Sequence, residues 1–222
     1  DIEELEEYQE KILTYEEALE KALDQNHDYR KLEKTIEQTE EIEKNLADLH
    51  RFTPIPYDQN ADASAINLLL NRKQTEIKKS MAKKQKETIE DMISYKVRTE
   101  YDNIVKKLKE IELQKKMVEH SEKELIMLST KEMIGSGSDY DYKVQRDKVL
   151  EEKQKIETLE KELNEAYSKL NSTMGIKESE RYSVNLKTEL QPMEERDVEK
   201  YAKTIIGRHP AVWNQEQQIR LN

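Results

Sequence analysis

The sequence predicts an all-α protein built as an elongated antiparallel coiled-coil or helical-hairpin bundle. Of its 222 residues 39% are charged, with four glycines, four prolines and a mean hydropathy of −1.04. This composition is typical of long helices rather than of a compact domain. Residues 64–134 contain neither glycine nor proline, so nothing there forces the backbone out of a helix of roughly 105 Å. Apolar residues recur every three, four or seven positions, the spacing by which helices pack side by side.

The first helix is predicted over about residues 14–50. Thr14 and Glu17 have the spacing of a capping box, in which each side chain accepts a hydrogen bond from the other residue's backbone N–H. The preceding residues 1–13 are acidic and are interpreted as a frayed lead-in. The helix carries a core-facing stripe of Ala18, Leu19, Ala22, Leu23, Tyr29, Leu32, Ile36, Ile42, Leu46 and Leu49. Two prolines in the short connection that follows predict its end.

The central helix, predicted over about 64–134, has two dissimilar halves. Its second half carries a heptad-like stripe of Ile93, Val97, Tyr101, Ile104, Leu108, Ile111, Val118 and Leu125. Its first half is crowded by basic residues between Arg72 and Lys86, which we interpret as a solvated face balanced by acidic neighbouring helices. The first and third helices together match the length of the central one, so we expect each to cover one half.

A tight reversal is predicted at Gly135–Asp139, with Ser138 or Asp139 available to cap the next helix. This third helix is predicted over about 140–174. It carries a strict heptad seam of Tyr142, Val149, Ile156, Leu163 and Leu170. Gly175 is expected just past its end, as the C′ residue.

Residues 176–196 are predicted to be a linker, with a short strand or extended segment near 182–190, where polar and apolar residues alternate. A further helix is expected to begin at Glu194 or Asp197. The segment 18–36 aligns without a gap over 201–219, at an offset of 183, with matching apolar positions and a matching polar break. This predicts a duplicated unit, with a three-helix repeat in residues 1–175 and the start of a second repeat in 197–222.

Several function classes are disfavoured by the sequence. The net charge of −10 opposes binding to nucleic acid or to anionic membrane surfaces. Cysteine is absent, and no apolar run reaches the ~18 residues of a membrane helix. The scattered histidines lack metal-ligand spacing: His27, His50, His120 and His209. We therefore expect no enzyme activity, no cofactor and no metal site. Because the chain begins at Asp1 without a signal peptide, we interpret it as a trimmed or mature form.

Two motifs resemble those of the TolC-like outer-membrane efflux proteins. Each repeat of that family opens with a pattern like T-x-x-E-A-L-x-x-A-L-x-x-N-P-x-L. The residues matching it here are Thr14, Glu17, Ala18, Leu19, Ala22, Leu23 and Asn26. Tyr29 stands for the last leucine and His27 replaces the proline, whereas the second copy has Pro210, followed by Val212.

The family's second motif, similar to R-x-x-x-G-L-x-S-x-x-D-V-L, lies at the tip of a helical hairpin. The residues standing for it here are Lys131, Gly135, Ser138 and Asp141. Ser136 and Tyr142 depart from the leucine and the valine. The resemblance covers nearly the whole chain.

The resemblance implies a TolC-like α-barrel, a tube of long antiparallel helices closed by homo-oligomerisation in the cell envelope, through which cargo is exported. Lys131, Gly135, Ser138 and Asp141 would form the tip that docks an adaptor (membrane-fusion) protein, which links the tube to an inner-membrane pump. The family inserts two long membrane strands between its first and second helices. Residues 51–63 leave no room for them, so the sequence predicts either a relative without those strands or an engineered deletion of them.

The alternative is a structural coiled-coil scaffold, or an adaptor-type helical hairpin without channel function. Adaptor hairpins resemble this one but are flanked by lipoyl-like β halves, and only one candidate strand follows Gly175. An enzyme ranks third, because no constellation of residues suggests one.

Overall fold

A computed structural model describes residues 12–52, 63–186 and 209–221. In chain order the elements are β1 (Ile12–Leu13), α1 (Tyr15–Gln25), α2 (His27–Phe52), α3 (Ala63–Met133), α4 (Asp139–Met174), β2 (Ser183–Val184) and α5 (Pro210–Leu221). The all-α prediction is confirmed, and α3 and α4 match their predicted bounds to one residue. The described residues divide into a hairpin unit (12–22 and 96–186) and a second unit (23–52, 63–95 and 209–221), with α3 contributing to both.

The first predicted helix is two helices, so the prediction of one helix over 14–50 is wrong. Its start is confirmed: the Glu17 N–H donates to Thr14 Oγ1 at 3.2 Å and the Thr14 N–H donates to Glu17 Oε2 at 3.4 Å. The interruption falls at Asn26, whose Oδ1 accepts a 2.8 Å hydrogen bond from the Tyr29 N–H. An asparagine side chain competes in this way with the helical backbone, so Asn26 ends α1 and caps α2.

The second half of α3 and α4 form an antiparallel pair in the hairpin unit. Two ion pairs give its direction, since Glu162 lies 2.6 Å from Lys107 and Glu122 lies 2.6 Å from Lys153. The buried seam contains Val97, Tyr101, Ile104, Ile111, Val118, Val149, Leu159, Ala166 and Leu170. Most predicted seam positions are therefore confirmed, and the others are half-buried: Leu108, Leu125, Tyr142, Ile156 and Leu163.

The two strands pair in parallel, with Leu13 beside Val184. The Tyr101 hydroxyl joins them, because it donates to the Leu13 carbonyl at 2.9 Å and accepts from the Asn185 N–H at 2.9 Å. The predicted extended segment at 182–190 is thus a strand of two residues, and residues 187–190 lie outside the described part. The interpretation of the residues before α1 as a frayed lead-in is wrong at β1, and residues 1–11 are not described.

The end of α4 is closed by Gly175, which has a φ of 68° in the left-handed region, as the predicted C′ residue requires. Asn171, one turn earlier, is fully buried. Its Nδ2 donates to the carbonyls of Lys177, Glu178 and Glu180. The Tyr182 hydroxyl lies within the same network, and burial raises the pKa of Tyr182 well above its ordinary value.

In the second unit, α2 packs antiparallel along the first half of α3. Three lysines of the basic run pair with acidic residues of α2, in the pairs Lys79 with Glu43, Lys83 with Glu40 and Lys86 with Glu33. The interpretation of this run as a face balanced by an acidic neighbour is confirmed for these lysines. The buried apolar residues of this half of α3 include Ala65, Ile77, Ala82 and Ile93.

Helix α5 belongs to the second unit and lies beside both α2 and α3. Trp213 and Gln217 line a groove with residues of α3 near Ile77. Pro210 and Asn214 line another groove with residues of α2 and α3: Leu32, Thr35, Gln85, Thr88 and Ile89. The direction of α5 is therefore antiparallel to α3. The expected start of this helix at Glu194 or Asp197 lies outside the described residues.

Candidate functional site

The tip of the α3–α4 hairpin begins with a Schellman motif. The Ser136 N–H donates to the Lys131 carbonyl at 2.9 Å, and the Gly135 N–H donates to the Glu132 carbonyl at 2.9 Å. Gly135 has a φ of 74°, although a Cβ there would meet nothing within 4 Å. Glycine is needed at this position for its backbone conformation and not for space.

A second glycine shapes the same turn for a different reason. A Cβ on Gly137 would lie 2.7 Å from the backbone nitrogen of Glu132 and 2.9 Å from the carbonyl carbon of Lys131. The chain therefore folds back directly onto the last turn of α3. The sequence signal for this was the Gly-Ser-Gly spacing, which had indicated only a turn.

Ser136 occupies the C″ position of the Schellman motif. An apolar side chain at C″ commonly packs against the end of the helix. Here the Ser136 hydroxyl donates to the Lys131 carbonyl at 3.3 Å. At the position where the resemblance expects a leucine, the tip thus has a second polar contact with the end of α3.

Ser138, one of the two predicted candidates, occupies the N-cap position of α4 with an extended backbone (φ −102°, ψ 128°). Its hydroxyl makes no capping hydrogen bond; the Tyr142 N–H instead donates to the Ser138 carbonyl at 3.2 Å. Asp139 and Asp141 lie in the first turn, where the helix dipole favours negative charge. Asp139 is paired with Lys143 at 2.6 Å.

The four predicted site residues, Lys131, Gly135, Ser138 and Asp141, are all exposed at this tip. They lie in the last turn of α3, the connecting turn and the first turn of α4. Within the described part of the chain, neither the Lys131 ammonium nor the Asp141 carboxylate has an ion-pair partner. Both charges are therefore available to a binding partner.

Three large apolar side chains at the tip were not predicted as part of the site. Met133 is 78% exposed, Ile134 73% and Tyr140 73%. We call these three the apolar tip residues. Others nearby along the two helices are also exposed: Ile126, Met127 and Val144. Their signal in the sequence was an excess of large apolar residues outside the heptad stripe, on both sides of the glycines. Large apolar side chains grouped on a surface mark an interaction site.

The helices behind the tip are tied together by polar contacts. Gln145 Nε2 of α4 donates to the Ser121 carbonyl of α3 at 3.0 Å and to Glu124 Oε2 at 3.1 Å. Ser121 is buried, and Val118 and Val149 fill the seam beside it. The tip thus lies at the end of two helices that are held together by hydrogen bonds and apolar packing, which limits the conformational entropy lost on binding.

The described residues show no features of a metal site or of a membrane span. These residues contain no cluster of three or more potential metal ligands, and none of their helices is both apolar and long enough to traverse a bilayer. On α3, Lys116 lowers the pKa of Glu112 and Lys123 lowers the pKa of Glu119, so these shifts arise from surface ion pairs. A scan of protein-family models and a search of curated proteins each found no match to the chain.

Proposed function

We propose that this chain is a TolC-like component of an export conduit in the cell envelope, which docks an adaptor protein through the hairpin tip and performs no catalysis of its own. The observation that carries the proposal is the set of apolar tip residues, flanked by the exposed charges of Lys131 and Asp141. A hairpin that served only as a spacer has no need of three large apolar side chains at its end.

The chemistry of the tip favours a partner with both apolar and charged groups. Burial of Met133, Ile134 and Tyr140 would supply affinity at roughly 25 cal/mol per Å² of apolar surface removed from water. A carboxylate of the partner would face Lys131 and a cation would face Asp141, which sets the orientation of docking. The backbone hydrogen bonds at Gly135 hold the turn in one conformation before the partner arrives.

The conduit part of the proposal is supported by an exposed side of α3. Leu113 is 61% exposed and Met117 46%, although the neighbouring residues Ile111 and Val118 are buried against α4. Side-by-side packing of further copies would cover these residues. We therefore propose that the protein works as a homo-oligomer.

Site-specific photo-cross-linking in the native cell tests the docking proposal. A photo-reactive residue at Ile134 should cross-link to a protein that carries a lipoyl-like domain and a helical hairpin, which is the adaptor class. The same probe at exposed Glu157, about 27 Å along α4 from its start, should not. No product at Ile134, or a product of another class, would contradict adaptor docking.

The second candidate, a coiled-coil scaffold, is favoured by the antiparallel α3–α4 hairpin itself, which scaffolds also use. The two candidates differ in their sensitivity to charge at the tip. Asp141→Arg should abolish the Ile134 cross-link in a docking protein and should change the self-association of a scaffold little.

A further inference from the structure

Helices α2 and α5 begin at equivalent positions of the internal repeat. At the offset of 183, Asn26 aligns with His209 and Arg30 aligns with Trp213. The Arg30 N–H donates to the Asn26 carbonyl at 3.1 Å, and the Trp213 N–H donates to the His209 carbonyl at 3.0 Å. Helices α2 and α5 therefore begin with the same backbone hydrogen bond, at positions that differ by the offset found in the sequence.

One face of the first turns of α2 packs against α3. The Lys86 ammonium lies 4.7 Å from the ring centroid of Tyr29 and 2.8 Å from Glu33 Oε1. Ile36, one turn further along α2, is half-buried on the same face. The set Tyr29, Glu33 and Ile36, with spacing i, i+4 and i+7, thus forms an apolar stripe with a central carboxylate.

The equivalent residues of α5 are Val212, Glu216 and Ile219, and they are exposed. Val212 is 40% exposed and Ile219 72%, and Glu216 has no ion-pair partner within the described ranges. A neighbouring face of α5, with Trp213 and Gln217, lines the groove with α3. Helix α5 is therefore seated in its unit by one face, while the face that α2 uses against α3 stays open.

We propose that this open face, Val212, Glu216 and Ile219, binds an amphipathic helix that presents a lysine between two apolar residues. Helix α3 is an example of such a helix, because it carries Lys86 between Ala82 and Ile89 at the same i, i+4 and i+7 spacing. In an antiparallel pair the two central residues meet, so the partner's lysine faces Glu216 and its apolar residues cover Val212 and Ile219.

The partner helix cannot be residues 63–95 of a second folded copy of this chain. In each copy Lys86 is already paired with Glu33, and Ala82 is 5% exposed. A second folded copy therefore cannot offer this face of α3. The occupant is a separate helix of the same composition, and its binding does not depend on the hairpin tip.

A synthetic peptide of residues 75–95, capped at both ends and labelled with a fluorophore, tests this on the full chain. Fluorescence anisotropy should show saturable binding, and the emission of Trp213, the one tryptophan, should change with it. Glu216→Lys should weaken binding by about fivefold, because an attractive surface charge pair becomes repulsive. The peptide with Lys86→Glu should recover that loss on the Glu216→Lys protein.

Two further variants separate this interface from general attraction or misfolding. Glu41→Lys makes the same charge change at an exposed position of α2 without an ion-pair partner among the described residues, and should leave affinity within about twofold. Ile219→Asp should weaken binding about tenfold or more, with an unchanged circular dichroism melting curve. The proposal is overturned if the wild type does not bind at about 1 mM peptide, if Glu216→Lys has no effect, or if Glu41→Lys has the same effect.

Discussion

The hydroxyl of Tyr182 donates a hydrogen bond of 2.8 Å to Oδ1 of Asn171. The same asparagine donates through Nδ2 to carbonyls of the loop that follows α4, and its exposed fraction is zero. The Tyr167 hydroxyl in turn donates to the Tyr182 carbonyl at 2.9 Å. One buried amide therefore organises the segment between α4 and β2.

Asn171→Leu should lower the free energy of unfolding by about 2 kcal/mol, because three carbonyls of the loop and the Tyr182 hydroxyl lose their hydrogen-bond partner. Urea denaturation followed by circular dichroism would measure the loss. Tyr182→Phe should cost only about 1 kcal/mol. Gln154→Leu, at an exposed position of α4, is the control and should stay within about 0.5 kcal/mol. Equal effects of Asn171→Leu and Gln154→Leu would show that the amide is not organising the loop.

Substitutions at the two tip glycines should distinguish a requirement for positive φ, at Gly135, from a lack of room for a Cβ, at Gly137. Gly135→Asn should be tolerated better than Gly135→Ala, which should cost about 1 kcal/mol, because asparagine adopts positive φ more readily. At Gly137 both Ala and Asn should disrupt the turn, since any Cβ meets the backbone of Lys131 and Glu132. Hydrogen exchange at the Ser136 amide would report the disruption. Equal behaviour of the two substitutions at Gly135 would contradict the conformational explanation.

The ion pairs between α2 and α3 should make the protein less stable at low and at high pH, where one partner of each pair loses its charge. Hydrogen bonding to Lys83 lowers the pKa of Glu40, so its stabilising contribution is complete above the ordinary pKa of 4.5 and is lost as pH falls through the lowered pKa. Hydrogen bonding to Glu33 raises the pKa of Lys86, so that contribution is complete below 10.5 and is lost as pH rises through the raised pKa.

Thermal melts followed by circular dichroism should therefore show a plateau between these two limits and a fall outside them. Glu40→Gln should flatten part of the acid limb and Glu33→Gln part of the alkaline limb. About 1 M salt should reduce both effects, because these pairs are partly exposed. Unchanged limbs in the two variants would show that other groups control the pH dependence.

Replacement of the apolar tip residues by serine should leave the fold intact. Met133, Ile134 and Tyr140 are each more than 70% exposed, so the triple serine variant should keep its melting temperature within a few degrees. Its solubility should rise and its binding of a hydrophobic dye should fall. A large drop in melting temperature would mean that these side chains support the fold rather than a partner.

Much of the fold was accessible from local patterns. Heptad spacing and the absence of glycine and proline predicted α3 and α4, and backbone rules predicted the capping box at Thr14 and the C′ role of Gly175. These signals depend on residues within a few positions of one another. The break at Asn26 was missed because asparagine is also tolerated inside a helix, so the outcome depends on its bond to the Tyr29 N–H.

The missing features depend on contacts between distant parts of the chain. The pairing of Leu13 with Val184 joins two distant segments, and only the second of them, near 182–190, showed alternation in the sequence. The exposure of Ile134 depends on where the facing helix begins, and the crowding at Gly137 depends on the path of the turn. For the candidate site, the exposed turn that carries Lys131, Gly135, Ser138 and Asp141 could be placed from the sequence, whereas the exposed apolar side chains beside it could not.

The Tyr101 hydroxyl has a further consequence for the order of folding. It lies 88 positions from Leu13 and 84 from Asn185 along the chain, and it bonds to both. The α3–α4 hairpin closes through a short turn, whereas this junction must first bring together three remote segments. We expect the hairpin to form early in folding and the hydrogen bonds of the Tyr101 hydroxyl to form late. In pulse-labelled hydrogen exchange, the Asn185 amide should gain protection after the amides of α4.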